Sequence, residues 1–236
     1  MCAASLSTTF CLMEIDVDSL PYALRYRLLV SGITPRPIAF VSTISPQGQH
    51  NLAPYSFFAG VSSNPMTLLF CPANTEEGKE KDSLRNARPP AQGGSGCFVV
   101  NLATFAYRYP VSAASEALPH GESEFDLTGL HPAPALKVSA PRLLESPGGF
   151  ECETLQILSL AEGQPAGGNI VIGRVVHAWF RDDLIDENYR IDPRALDTIG
   201  RMGGLSYCRT SAQFDMPRGR AALEASQKAE NEGSEG

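Results

Sequence analysis

Lys81-Asp82-Ser83 places an ammonium, a carboxylate and a hydroxyl side by side, at the start of the helix-favouring stretch KDSLRN that the paired prolines 89 and 90 bring to a stop. The first N–H groups of a helix have no acceptor within it and carry the positive end of its dipole, which suits a phosphate. Lys81 adds a point charge and Ser83 a hydroxyl, with Arg85 and Arg88 near in sequence. The same residues also describe a plain exposed helix start capped by Asp82. A second polar group lies in residues 34–58, TPRPIAFVSTISPQGQHNLAPYSFF. Arg36 stands between two prolines, Ser42 and Thr43 sit in mid-strand, and the chain returns as Asn-Leu-Ala-Pro-Tyr-Ser-Phe-Phe. That mixture suits a strand that cradles a flat, half-polar, phosphorylated ligand. Taken singly, each residue has an ordinary explanation: Ser42 and Thr43 on a solvent-facing strand, Arg36 as a surface charge, Asn51 as the end of a turn.

Other motifs are absent. The histidines 50, 120, 131 and 177 have no metal-ligand spacing with one another or with cysteine, so no metal site is expected. GGSGCF precedes a strand where a dinucleotide turn would precede a helix, and GKE at 78–80 lacks the rest of a phosphate loop. No Gly-x-Ser-x-Gly elbow occurs. Cys97 and Cys152 fall in apolar strands and read as core thiols.

The elements that must position these residues are mostly strands. PYALRYRLLVSG allows a helical turn, ended by Gly32 and the prolines that follow. PIAFVSTI and NLAPYSFFAGVSS flank the turn SPQGQHN as a hairpin, with Pro54 breaking the return strand or placing it at an edge. PMTLLFCPA and GCFVVNLAT read as buried strands, and FECETLQILSL with NIVIGRVVHAWF as a second hairpin. YPVSAASEAL suits a helix with Pro110 in its first turn, and Asp192-Pro193 starts another. Residues 119–147 read as a proline-rich insertion over the surface containing the strand-like ALKVSAPRLLE. Residues 1–20 form an arm, 21–218 the domain, and 219–236 an acidic tail expected to be disordered. Strands joined by turns, without regular strand–helix alternation, predict a mainly β, barrel-based domain with short helices.

Composition bounds the partners. A net charge of −7 and a pI near 5.1 argue against general binding to nucleic acid or an anionic membrane. No apolar run of about 18 residues exists, and the N-terminus lacks a basic region ahead of a signal-like stretch. Six scattered cysteines without a CxxC pair predict reduced thiols and a cytoplasmic protein.

TPRPIAFVST, NLAPYSFF, KDSLRN followed by FVVNLA, then ECE, GRVV and RIDPRALDTIGRMGGLSYCRT occur in the order typical of the flavin reductase-like family, which includes flavoredoxin-like flavoproteins. The chain resembles that family from about residue 20 to residue 218. The resemblance implies an FMN-binding split β-barrel, a homodimer that completes its flavin pocket across the subunit interface, and an oxidoreductase. It suggests an NADH- or NADPH-dependent flavin reductase serving a partner oxygenase or other electron acceptor. An electron carrier that keeps its FMN and a non-catalytic flavin-binding protein are the alternatives. For the cofactor it implies Lys81, Asp82 and Ser83 near the phosphate, with Arg36 carried over, and Ser42, Thr43, Asn51 and Ser56 as candidates for the ribityl chain or phosphate. Ala39 and Ala53 are small enough to admit the ring, Pro37 and Pro54 stiffen the edge, and Phe57 is a ring neighbour. Arg201, Gly203, Gly204 and Tyr207 form a candidate active-site loop, although Leu-Ser-Tyr at 205–207 departs from the Asn-Tyr-Tyr common in the family. His177, beside Trp179 in an alternating strand, is a weak candidate for a redox or nicotinamide contact and otherwise a structural imidazole.

Overall fold

The computed structural model describes residues 12–119 and 121–233. Most of the expected 1–20 arm lies outside the described residues; of the remainder, Val17–Ser19 form a single tight turn. Helix α1 (Tyr22–Gly32) precedes strands β1 (Arg36–Pro37), β2 (Ala39–Ile44), β3 (His50–Tyr55), β4 (Phe58–Ser63) and β5 (Met66–Phe70). Helix α2 (Asp82–Ala87), strand β6 (Cys97–Leu102), and helices α3 (Arg108–Ala113) and α4 (Glu124–Thr128) follow. Then come the short β7 (Pro132–Ala133) and β8 (Arg142–Leu143), and the long hairpin β9 (Gly148–Ser159) and β10 (Asn169–Phe180). Helix α5 (Pro193–Leu196), strands β11 (Ile199–Arg201) and β12 (Tyr207–Arg209), and helix α6 (Arg220–Gly233) close the chain.

Seven strands form one antiparallel sheet in the order β3-β2-β6-β9-β10-β5-β4. Side chains from six of them, including Val41, Tyr55, Phe70, Phe98, Cys152 and Val171, meet in one core that Leu84 and Ala87 of α2 enter. The sheet is curled strongly enough that Tyr55 on one edge strand and Phe70, one strand in from the other edge, have ring centroids 5.1 Å apart. Its two edges, β3 and β4, are consecutive in the chain but are not paired, so the barrel is split. The free edge at β3 accounts for Pro54, since proline in a sheet is tolerated where no ladder partner needs its N–H.

The pleat of β2 and β3 sorts the hairpin into two faces. Ala39, Val41, Ala53 and Tyr55 face the barrel core, while Ile38, Phe40 and Leu52 face a second core with Tyr107, Val111, Phe125 and Leu143. That second core corrects the expectation of a surface insertion at 119–147: Phe125, Leu130, Ala140 and Leu143 are buried. Only Arg142–Leu143 of ALKVSAPRLLE is strand, because Pro141 interrupts it. The tail also differs from expectation, being helical over Arg220–Gly233. Its Ala, Leu and Glu residues are strong helix formers.

Close packing of the sheet is visible at Gly149, where an added Cβ would lie 2.3 Å from the Val100 carbonyl oxygen. Asp192 caps α5, its carboxylate accepting from the amides of Arg194 (2.8 Å) and Ala195 (3.3 Å). A separate three-stranded sheet, β1-β11-β12, pairs Arg36 with Arg201 and so brings the segment after α1 against the 199–209 loop.

Candidate functional site

The free edge of β3 and the start of α2 form two walls of a cavity of about 500 Å³, within the roughly 300–1,000 Å³ usual for small-molecule sites. Asn51, Ala53, Pro54 and Tyr55 line one side; Lys79, Lys81, Asp82 and Ser83 line another. The segment Ala114–Leu118 after α3, together with Glu124 of α4, closes the third.

The two walls are stitched together by side chains. Asn51 Nδ2 donates to Ser83 Oγ at 2.9 Å, and Asn86 Nδ2 donates to Thr43 Oγ1 at 3.0 Å. Register explains the match, because Thr43 and Asn51 are directly opposite on the face that α2 covers. The residue at the capping position of α2 is Lys81, with no side chain capping the helix, and Asp82 is the first helical residue. The expectation of an Asp82 cap is corrected accordingly; its carboxylate instead pairs with Arg85 one turn on. With six residues, α2 has little macrodipole, so the positive character here comes from the Lys79 and Lys81 side chains.

Two residues that sequence reasoning missed shape the cavity. Tyr55 lines it, and its buried hydroxyl has no hydrogen-bond partner. Burial raises the pKa of this phenol, and the neighbouring Ser83 hydroxyl opposes the shift without reaching hydrogen-bonding geometry. Glu124 is only 7% exposed, and its Oε2 accepts from the Leu52 amide at 2.9 Å. That amide points away from β2, which marks the outward side of the edge strand, shared two residues later by Pro54. Burial raises the Glu124 carboxyl pKa, and Asp82 adds to the rise, whereas the Leu52 amide and Lys81 oppose it. Lys81 keeps part of its side chain open to solvent; desolvation of the rest lowers its ammonium, with Glu124 opposing. Tyr55 was legible as the next inward-facing residue after Ala53, but Glu124 gave no signal, because in GESEFD it is one of three closely spaced acids that resemble any acidic surface run.

Other expected site residues lie elsewhere. Arg36 is 3% exposed and ties the chain together: its guanidinium donates to the carbonyls of Val30, Ile33 (2.8 Å) and Met202 (3.0 Å) and to Ser56 Oγ (3.2 Å). Burial lowers its pKa, and the Tyr26 side chain opposes that. Arg36 and Ser56 are therefore engaged with each other and do not line the cavity. Ala39 is fully buried in the barrel core. Ser42, one residue out of phase with Thr43, points to the opposite face, donating to the Pro141 carbonyl and accepting from Asn101 Nδ2 at 3.0 Å. Pro37 pairs with Gly200. Phe57 lies just past β3 in edge contact with Tyr26 of α1, their ring centroids 6.5 Å apart.

Arg201 and Tyr207 face each other across β11 and β12, the guanidinium 4.5 Å from the ring centroid. Gly204 has φ +60°, which favours glycine, whereas a Cβ on Gly203 would only approach Ser31 Oγ at 3.3 Å. This loop adjoins Arg36 through Met202 and is not among the cavity walls. His177 belongs to a structural cluster on β10: its Nδ1 lies 3.1 Å from Arg142 Nη2 and 3.4 Å from Glu151 Oε1. The fully buried Glu151 also accepts from the amides of Leu136 and Lys137, and Arg142 stacks 4.4 Å from the Trp179 ring centroid. The imidazole is thus used inside the fold and does not reach the cavity.

The family described as Flavin reductase like domain matches residues 31–206. Among solved structures, the chain is similar to nitrilotriacetate monooxygenase component B from Bacillus cereus, with 30% identity and a TM-score of 0.81 over 88% of this chain and 100% of that one. It is similar to 2-nitrobenzoate 2-nitroreductase from Pseudomonas fluorescens, with 26% identity and a TM-score of 0.77 over 88% and 97%. A flavin reductase with a split barrel domain from Shewanella frigidimarina shares the fold, at 22% identity and a TM-score of 0.69 over 86% and 96%.

Proposed function

Because the chain belongs to the flavin reductase-like family, and is thus a flavin-related oxidoreductase, we propose that the cavity between β3 and α2 holds FMN and that the protein is an NAD(P)H-dependent flavin reductase. The observation that carries this reading is the meeting of an edge strand, two lysines and the hydrogen-bonded Asn51–Ser83 pair in one cavity of suitable size. The residues fit the cofactor. Lys81, the Ser83 hydroxyl and the Asn51 amide group offer positive charge and polar contacts for a phosphate or ribityl chain. Ala53 and Pro54 present a low, rigid strand surface to a flat ring, and a rigid site lowers the ordering cost of binding.

When bound, the flavin supplies the acceptor for a hydride from the nicotinamide. The chain's own residues need supply no acid or base for that step; they bind, orient and keep water from one face. The fixed backbone of β3, held at Leu52 by Glu124, sets the ring's position, and orientation of this kind can contribute roughly 7–11 kcal/mol in favourable cases.

The likeness to component B of nitrilotriacetate monooxygenase supports delivery of reduced flavin to a partner oxygenase. The exposed apolar residues of α1, among them Tyr22, Tyr26, Leu28 and Leu29, support a homodimer, since exposed apolar surface of this kind marks an interface. Free thiols at Cys71, Cys97, Cys152 and Cys208, and the lack of any long apolar helix among the described residues, support a cytoplasmic setting.

The test is spectroscopic. The purified protein, supplied with FMN, should show a bound-flavin spectrum that NADH or NADPH bleaches anaerobically at a catalytic rate. A bound flavin that neither nucleotide bleaches would identify a carrier reduced by another protein. Absence of binding would remove the flavin from this cavity.

A further inference from the structure

Charge within the cavity is nearly balanced before any ligand enters. Arg85 pairs with Asp82, and Arg88 pairs with Glu80. Of the other charged residues in the lining, Lys79 and Lys81 are positive, while Glu116 and Glu124 are negative. Glu116 is exposed and screened by water, but Glu124 is buried, held by the Leu52 amide on the outward side of β3. A phosphate monoester carries about −1.5 to −2 near neutral pH. Entering this cavity, it places a second anion beside a carboxylate that water cannot screen. Like charges sharing a poorly solvated site favour protonation of one of them.

We propose that Glu124 takes up a proton from solvent as the phosphate of the flavin binds, so that cofactor affinity is coupled to pH through this one carboxyl group. The inference rests on the reading of the cavity as the FMN site. The groups facing Glu124 are Lys81 and Asp82 from the start of α2 and Tyr55 from β3, with Lys79 and Glu116 further around the lining. The Leu52 amide and Lys81 favour the ionised form; Asp82 and the incoming phosphate favour the neutral one. A neutral carboxyl keeps an acceptor oxygen for the Leu52 amide, so the edge strand stays anchored in either state. The coupling has a definite sign. Below the pKa of the free protein, Glu124 is already neutral and affinity is pH-independent. Between the pKa values of the free and bound states, each bound phosphate draws in one proton, and affinity falls as pH rises by up to about tenfold per unit. Above both, affinity levels off at its lower value.

The experiment is FMN titration by calorimetry on the full chain, from pH 5 to pH 9, in pairs of buffers with different ionisation enthalpies. Wild-type protein should show net proton uptake on binding, beyond what the phosphate's own ionisation contributes. The variant Glu124→Gln retains an acceptor for Leu52 and shares the ligand's ionisation, so it serves as the reference. It should bind with a flatter pH profile and no excess uptake. Identical profiles and identical proton counts in the two proteins would overturn the inference while leaving the FMN site intact. The wild-type buffer comparison needs no variant, so zero excess uptake there would overturn it even if Glu124→Gln folded poorly. Failure of wild-type protein to bind FMN at any pH would sink the cofactor reading and this inference with it.

Discussion

Replacing Lys81 with Ala should weaken FMN binding while leaving riboflavin binding and apo-protein stability nearly unchanged. The ammonium lies in the cavity lining, serves no other side chain as a cap, and retains contact with water. Two unit charges about 4 Å apart at an effective dielectric near 20 interact by roughly 4 kcal/mol. Lys81 is partly solvated and already attracted by Glu124, so the lower range for a hydrogen bond to a charged group, about 1.5–2 kcal/mol, is the better figure. That corresponds to a rise in Kd of roughly 10- to 30-fold. Ser83→Ala differs in an informative way. Ser83 Oγ accepts from Asn51 Nδ2 at 2.9 Å, and Asn51 is 7% exposed, so the variant leaves a buried amide unpaired. It should lose about 1–2 kcal/mol of stability as well as FMN affinity. Flavin fluorescence titration at fixed ionic strength, together with calorimetric melting of the apo-proteins, separates the two effects. Lys81→Ala binding FMN as tightly as wild type, or losing riboflavin to the same degree, would refute the placement of the phosphate beside α2.

Arg36→Met should act on stability and not on the cavity. Removing a buried guanidinium that satisfies three carbonyls should cost about 3 kcal/mol, or roughly 6–12 °C in Tm; an unchanged melting curve would contradict the anchoring role. Gly149→Ala should destabilise strongly, by about 2 kcal/mol or more, because its Cβ would meet the Val100 carbonyl oxygen at 2.3 Å, and chemical denaturation would read the loss. Leu28→Glu with Leu29→Glu should convert a dimer to a monomer by light scattering, and a wild-type protein that is already monomeric with FMN bound would count against the α1 interface. His177→Ala should leave the rate of flavin bleaching by NAD(P)H unchanged, and a large fall in that rate with an unaltered melting temperature would restore a redox role to the imidazole.

Features that depend on neighbours along the chain were legible in the sequence. β-branched and aromatic content with turn chemistry marked the β2–β3 hairpin, proline at position 54 marked a break or an edge, and Asp192-Pro193 marked the start of α5, because side-chain branching, φ restriction and capping act within a few residues. The ordered motifs also carried the family and the split barrel. Which face of the hairpin turns toward α2 was not legible. A period of two separates Ser42 from Thr43 but does not say which side α2 will cover, and packing of Leu84 and Ala87 into the barrel decided for Thr43. Arg36 likewise offered a free-looking cation whose four acceptors come from Val30, Ile33, Ser56 and Met202, as far as 166 positions away. Glu124 became a cavity residue only because α4 lies across the open edge of β3 and presents its carboxylate to the Leu52 amide. Local sequence dictates the elements and their two faces; the assignment of each face to core, clamp or cavity belongs to long-range packing, where the desolvation of a single charge depends on residues that the chain brings in from far away.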